Sequence, residues 1–198
     1  MDKIKKIVIG TNNKGKYKEI CNLLPNKLKK YSPKEWSISS PLETGKTFKE
    51  NSFIKASYFS KKTNLSSLSD DSGLEINLLR GKPGIYSSRW SGEKNNFDLA
   101  MDKIFNEMNK INKNWENISA ARFVCCLTLF FPNGKSYLGK GIVSGKISSQ
   151  KKGINGFGYD PIFIPYGHEK TFGEMKPHLK MLIDHRYKAY LQIKNFFD

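Results

Sequence analysis

Cysteine is scarce in this chain: Cys21, Cys125 and Cys126 are three thiols among 198 residues, and two of them are adjacent. That supply supports neither a disulfide framework nor a zinc site, and it suits buried free thiols in a reducing compartment. Long apolar stretches are missing as well. The longest uncharged apolar run, Phe123 to Pro132, falls far short of the roughly 20 residues that a membrane helix needs, so no membrane partner is expected. Met1 to Gly10 lacks the succession of positive region, apolar core and small-residue cleavage site that marks a secretory leader. The expected location is cytoplasmic. No internal repeat, low-complexity tract or flexible linker divides the sequence, so residues 1–198 read as a single domain around one substantial core. Acidic residues are in deficit, 18 against 34 basic ones, for a formal charge of +16. Clustered Lys and Arg would bind phosphate backbones. Here the lysines are scattered, often beside Asn, and only short runs such as Lys27 to Lys30 stand out. A solvated basic surface that steers a small polyanion accounts for them, and no nucleic-acid partner is expected. A basic nucleic-acid-binding module without catalysis is the competing reading.

The densest stretch lies between Ser69 and Trp90, SDDSGLEINLLRGKPGIYSSRW, where acidic and backbone-flexible residues sit beside apolar ones. Asp70 and Asp71 fall between a polar β-prone run, Ser66 to Ser69, and an apolar one, Leu74 to Leu79. Adjacent strand residues point to opposite faces, so one carboxylate can face the core and the other a cleft. Asp71, Ser72 and Gly73 also carry turn signals. Carboxylates so placed suit a hard divalent cation, Mg²⁺ above all, because such ions take oxygen ligands and usually one or two carboxylates plus substrate phosphates. An Asx-type turn between two strands would use the same residues.

Around this stretch the chain alternates strand and helix signals. Ile7 to Gly10 reads as a strand and Lys14 to Leu24 as a helix that Pro25 helps to end. Strand, polar loop and helix make a phosphate-site geometry, since a helix N-terminus offers N–H groups and partial positive charge. It is not a Walker loop, because Lys16 is followed by Tyr17 and no hydroxyl is placed to hold a metal. Trp36 to Ser40 reads as a second strand. Thr47 to Glu50 spells a capping box that opens a helix to about Thr63, with Phe48, Ala56 and Phe59 on one face and Ile54 and Tyr58 on another. Phe97, Met101, Ile104, Phe105, Met108 and Ile111 mark an amphipathic helix. Ala121 to Phe131 is a strand that Pro132-Asn133-Gly134 turns into a hairpin with Ser136 to about Val143. Gly153 to Pro161 is a glycine-rich loop carrying Phe157 and Tyr159; its glycines let backbone approach a flat ligand, and an aromatic ring can stack on a purine. A turn packed by its own aromatics would read the same way. The tail from His185 to Phe197 is expected to be one helix, packing through Ala189, Ile193 and Phe196 or Phe197. The class is α/β: a mixed, twisted sheet with helices on both faces.

DDSGLEINLLRGKPGIYSSRW resembles the DDSGLxVxxLxGxPGxYSxR signature of the inosine triphosphate pyrophosphatase family. Further blocks agree in order: Thr11 to Lys16 with Glu19, Gly156 to Pro161, and Glu174-Met175 leading to His185-Arg186 and Lys188-Ala189. The likeness runs from about residue 7 to about residue 190. It implies two lobes around a central cleft and a homodimer. It also implies an Mg²⁺-dependent hydrolase that cleanses the nucleotide pool by converting inosine, deoxyinosine or xanthosine triphosphate to monophosphate and pyrophosphate. By resemblance, Thr11, Asn12, Asn13, Lys14, Gly15 and Lys16 contact the triphosphate, and Glu43 and Asp71 hold the metal. Asp71 also orients or deprotonates the attacking water, with Asp70 assisting. Lys55 and Ser72 face the nucleotide, Phe157 stacks on the base, and Gly158, Tyr159 and Asp160 lie beside it. Lys180, His185 and Arg186 supply donors suited to the 6-keto oxygen and N7 of the purine. Asp184 and Tyr187 flank His185-Arg186 where the family has Ser and Gly, and Pro177-His178-Leu179 precedes Lys180 where acidic residues are usual. These departures bear on loop conformation.

Overall fold

The computed structural model describes residues 4–92 and 96–197. The elements run β1 (Lys6–Ile9), α1 (Lys14–Leu23), β2 (Lys29–Tyr31), α2 (Phe48–Thr63), β3 (Ser66–Ile76), α3 (Phe97–Ile111), β4 (Ala120–Phe130), β5 (Ser136–Ile147), β6 (Phe163–Pro165), α4 (Pro177–Met181) and α5 (His185–Leu191). The strands form one sheet in the order β2-β1-β3-β4-β5-β6. β1 runs parallel to both β2 and β3, whereas β6 runs antiparallel to β5. This is the mixed-sheet α/β class expected.

Burial follows sheet position. Ile7, Val8 and Ile9 are fully buried because β1 has a strand on either side. β2 lies at the sheet edge and is lysine-rich, a composition that discourages further strand pairing. α3 buries Ala100, Met101, Ile104 and Met108 along one stripe, and Phe105 stacks on Trp115 at 5.9 Å. The chain divides into two compact units. The first comprises Met1–Asp71, Cys125–Gly141 and His185–Asp198, and the second Ser72–Val124 and Ile142–Asp184. Each has its own core. In the first, Ile7, Ile9, Ile20, Leu68, Leu127, Leu129 and Ile193 pack together. In the second, Leu74, Ile76, Ile104, Met108, Trp115, Phe163 and Phe172 do so.

Four expectations are corrected. Trp36 to Ser40 is not a strand: Pro33–Trp36 is a 3-10 turn held by a capping box, in which Ser32 N donates to Glu35 Oε1 at 2.7 Å. The second strand is the lysine-rich β2, which the apolar-pattern reading passed over. Asp71-Ser72-Gly73 makes no turn, because β3 runs unbroken from Ser66 to Ile76. Pairing with neighbours overrides local turn propensity there. The C-terminal helix ends at Leu191, and Lys194–Phe196 forms a separate 3-10 turn; Ala189, Ile193 and Phe197 are nevertheless buried as expected. Thr47 does cap α2, its hydroxyl accepting from Glu50 N at 3.1 Å, but the Glu50 carboxylate reaches Lys46 N instead of completing the box on Thr47. All three cysteines are free, Cys125 and Cys126 buried. No helix among the described residues is long and apolar enough to cross a membrane.

Candidate active site

Strand geometry sends the two adjacent aspartates of β3 to different partners. Asp70 is fully buried, 3.0 Å from Arg186 Nη2 and 3.4 Å from Lys16 Nζ. Burial alone would raise its pKa, but Lys16 and Arg186 outweigh burial and hold the carboxyl well below the usual range. Asp71 faces α2. Its Oδ1 lies 3.6 Å from Lys55 Nζ, and its Oδ2 accepts from Asn51 Nδ2 at 3.1 Å. Lys55 Nζ also meets Glu43 Oε1 at 2.5 Å, so two carboxylates converge on one buried ammonium. Burial opposes the charge on Lys55, yet Asp71 and Glu43 together raise its pKa. For Asp71, burial together with the nearby Glu43 and Asp70 charges prevails over Lys55 and Lys16, and its pKa is raised.

The loop ahead of α1 is built by local capping. Asn13 is the N-cap, its Oδ1 accepting from Lys16 N at 3.0 Å, while Thr11 Oγ1 accepts from Asn13 N at 3.1 Å. Asn12 is exposed and donates to Ser40 Oγ at 2.9 Å. Lys14 is exposed and Gly15 half-buried, while Thr11 is buried. Arg186 lies in α5 with its two Nη groups on Glu19 and Asp70. Both Nη groups of the guanidinium fork thus meet carboxylates, one from α1 and one from β3. His185 opens α5 and is buried. An added Cβ at Gly141 of β5 would overlap the His185 carbonyl oxygen, so this glycine is what lets α5 lie so close.

In the second unit, the glycine-rich loop is tied by one carboxylate. Asp160 Oδ2 accepts from Phe157 N at 2.8 Å and from Lys180 Nζ at 2.7 Å. Gly156 has φ +74, and a Cβ there would overlap the same carboxylate, so glycine is required on both counts. Lys180 is buried, its ammonium 5.4 Å from the ring centres of both Phe157 and Phe172. Tyr159 belongs to the core: its hydroxyl donates to Ser87 O at 2.9 Å, and burial pushes its pKa far up. Gly158 has φ +68 and packs beside Phe97. Ser72, half-buried in β3, begins this unit.

Sequence reading missed Asn51, which is buried at 1% exposure and touches both Asp71 and the Glu43 loop through Gly45 N, at 2.8 Å. A signal existed: Asn51, Ser52 and Lys55 put polar groups on the same buried side of α2 as Phe48 and Ala56. Among the described residues, no cluster of three or more His, Cys, Asp or Glu is placed to hold a metal. Glu43 and Asp71 are two oxygen donors that already share one cation, Lys55.

The profile of the Ham1 family matches residues 7–196. The dITP/XTP pyrophosphatase of Zymomonas mobilis subsp. mobilis is 40% identical over 189 residues, covering 95% of this chain and 90% of that one. The dITP/XTP pyrophosphatase of Oceanobacillus iheyensis is 38% identical, covering 98% of both chains. Among solved structures, the Staphylococcus aureus Ham1 protein superposes with a TM-score of 0.83 at 36% identity, covering 97% of each chain. A HAM1 protein from Coxiella burnetii gives 0.85 at 34% identity, covering 96% of each. With a profile spanning almost all of the sequence and relatives this similar along their whole length, the chain belongs to the Ham1 family.

Proposed function

We propose that this chain is a Mg²⁺-dependent pyrophosphohydrolase of non-canonical purine nucleoside triphosphates, converting dITP, ITP and XTP with water to the monophosphate and pyrophosphate and so cleansing the nucleotide pool. The full-length likeness to enzymes named dITP/XTP pyrophosphatases supports the reaction. The observation that carries the mechanism is the convergence of Glu43 and Asp71 on Lys55. Two carboxylates fit the needs of Mg²⁺, which is commonly held by one or two carboxylates with substrate phosphates and water completing its shell. When bound, the cation would neutralise charge on the phosphates during transfer.

The chain's own residues then have separable tasks. Asp71 orients the water and takes its proton as the water attacks the α-phosphorus; the bond from that phosphorus to the bridging oxygen breaks, and pyrophosphate leaves. Thr11, Asn12, Asn13, Lys14, Gly15 and Lys16 line up on the triphosphate, with Lys55 and Ser72 facing the nucleotide. Asp70 and Arg186 hold Lys16 and the start of α5 in place rather than reacting. Phe157 offers its ring to the base, Gly158 lets backbone approach it, and Asp160 and Tyr159 fix that loop. Lys180 and His185 supply donors suited to a 6-keto purine, and adenine, with an amino group at that position, leaves such donors unsatisfied. The reading takes residues 1–198 as one catalytic domain, acting as a homodimer in the cytoplasm on a small-molecule substrate.

The test is pyrophosphate release over a panel of nucleoside triphosphates in ¹⁸O-water, with and without chelator. dITP, ITP and XTP should lead, ATP should trail far behind, label should enter the monophosphate alone, and chelator should stop turnover. Orthophosphate as the first product would rule the reading out.

A further inference from the structure

Asn51 is a neutral side chain set among charges, and both ends of its amide are used. Nδ2 donates to Asp71 Oδ2 at 3.1 Å, and Oδ1 accepts from Gly45 N at 2.8 Å. Gly45 follows Glu43 by two residues, so a single amide links the backbone that carries one carboxylate to the oxygen of the other. The fit is close. A Cβ on Gly45 would come within 2.6 Å of Asn51 Oδ1 and 2.7 Å of Glu50 Cβ, so the loop rests directly on the first turn of α2. Asn51 sits in that turn with its own N–H donating to Thr47 O at 3.1 Å, which holds the side chain on rigid backbone. Asp71 belongs to β3, so the amide joins strand, helix and loop. Lys55, one helical turn further along α2, touches the same two carboxylates. The ammonium attracts both but fixes neither lone-pair direction, because its three protons rotate. An amide is planar and directional.

From this arrangement we infer that Asn51 is a positioning residue that fixes the Asp71 carboxylate and the Glu43 loop relative to each other, and so sets the geometry of the two-carboxylate site. The inference rests on the pyrophosphohydrolase reading above and deepens it. Asn51 acts through Asp71, whose carboxylate it orients, and through Gly45. Groups that orient metal-holding carboxylates typically change metal affinity or activity by about 10 to 100-fold when removed.

Two variants of the full chain separate the two hydrogen bonds. Asn51→Leu removes both, while Asn51→Asp keeps an acceptor for Gly45 N–H and loses the donor to Asp71. For each, kcat and KM for dITP are measured at saturating Mg²⁺, and amide exchange at Gly45, which needs no turnover, reports the loop. Melting temperature establishes folding. Asn51→Leu should lower kcat by at least about 10-fold with KM changed by less than about 3-fold, and should speed exchange at Gly45. Asn51→Asp should keep slow exchange at Gly45 yet lose kcat to a similar degree. Wild-type kcat in Asn51→Asp would confine the role to the loop and overturn the inference, as would unimpaired turnover or unchanged Gly45 exchange in Asn51→Leu. An inactive wild type in the same assay would instead bring down the pyrophosphohydrolase reading itself.

Discussion

Asp70 and Asp71 are neighbours in sequence with unlike surroundings, and substitution should separate them. Asp71→Asn keeps an oxygen for Asn51 to donate to, so the fold should survive while kcat falls by at least ~100-fold, the low end for a lost general base. Asp70→Asn should do the reverse in kind. It removes the charge that Arg186 and Lys16 share in a fully buried place, and breaking a buried pair destabilises by about 3 to 5 kcal/mol. Urea denaturation beside dITP kinetics would check both. Thiols give a pH prediction. Burial pushes Cys126 up to about 11 and Cys125 well above its ordinary value. The unfolded chain loses these protons first, so stability present below the ordinary thiol value, roughly 8.5, is lost as pH rises towards the folded values. Melting temperatures from about pH 8 to about pH 11 should fall, and less steeply in Cys126→Ala. At this scale the sequence was informative about side-chain direction, since strand alternation alone separates Asp70 from Asp71. It could not say which partner each would meet, because Arg186 and Asp70 are joined across 116 positions.

Two glycines test whether an element is placed by space or by backbone conformation. Gly141 lies in β5 where a Cβ would meet the carbonyl oxygen of His185 and the amide of Ala189, both backbone atoms of α5. Gly141→Ala must push α5 away and should cost about 1 to 3 kcal/mol, as overpacking does. Turnover should fall with it, because His185 and Arg186 begin that helix. Gly134, at the hairpin between β4 and β5, has φ +87 and nothing within 4 Å of a Cβ. Gly134→Ala should cost about 1 to 2 kcal/mol of backbone strain and leave kcat unchanged. A Gly141→Ala enzyme with wild-type kcat would free α5 from the role given to it. Elements with strong local signals were legible: α3 falls where its apolar spacing puts it, and α2 where its N-cap threonine opens it. The hairpin was legible from Pro132-Asn133-Gly134. β2 was not, because an edge strand needs little apolar character, and β3 was cut in two because turn-prone residues were weighed without the strands that pair with them.

The net charge of +16 acts on the whole molecule. A positive field raises the encounter rate of a polyanion and is screened by salt, so kcat/KM for dITP should fall as ionic strength rises while kcat holds. Filter-binding with single-stranded RNA at the same salts should show no tight, steeply salt-dependent complex; finding one would favour the nucleic-acid reading instead. The sequence by itself determined the α/β class, the family and the short blocks that bring chemistry, since these depend on local pattern and on residue order within a few positions. Only the tertiary structure decided that Asp70 would be neutralised by Lys16 and Arg186, that Glu43 and Asp71 would share Lys55, and that Asn51 would link them. Such partnerships join residues up to 116 positions apart. Their energies come from burial and from oriented charges at a few ångströms, which exist only once strand pairing and core packing have brought the elements together.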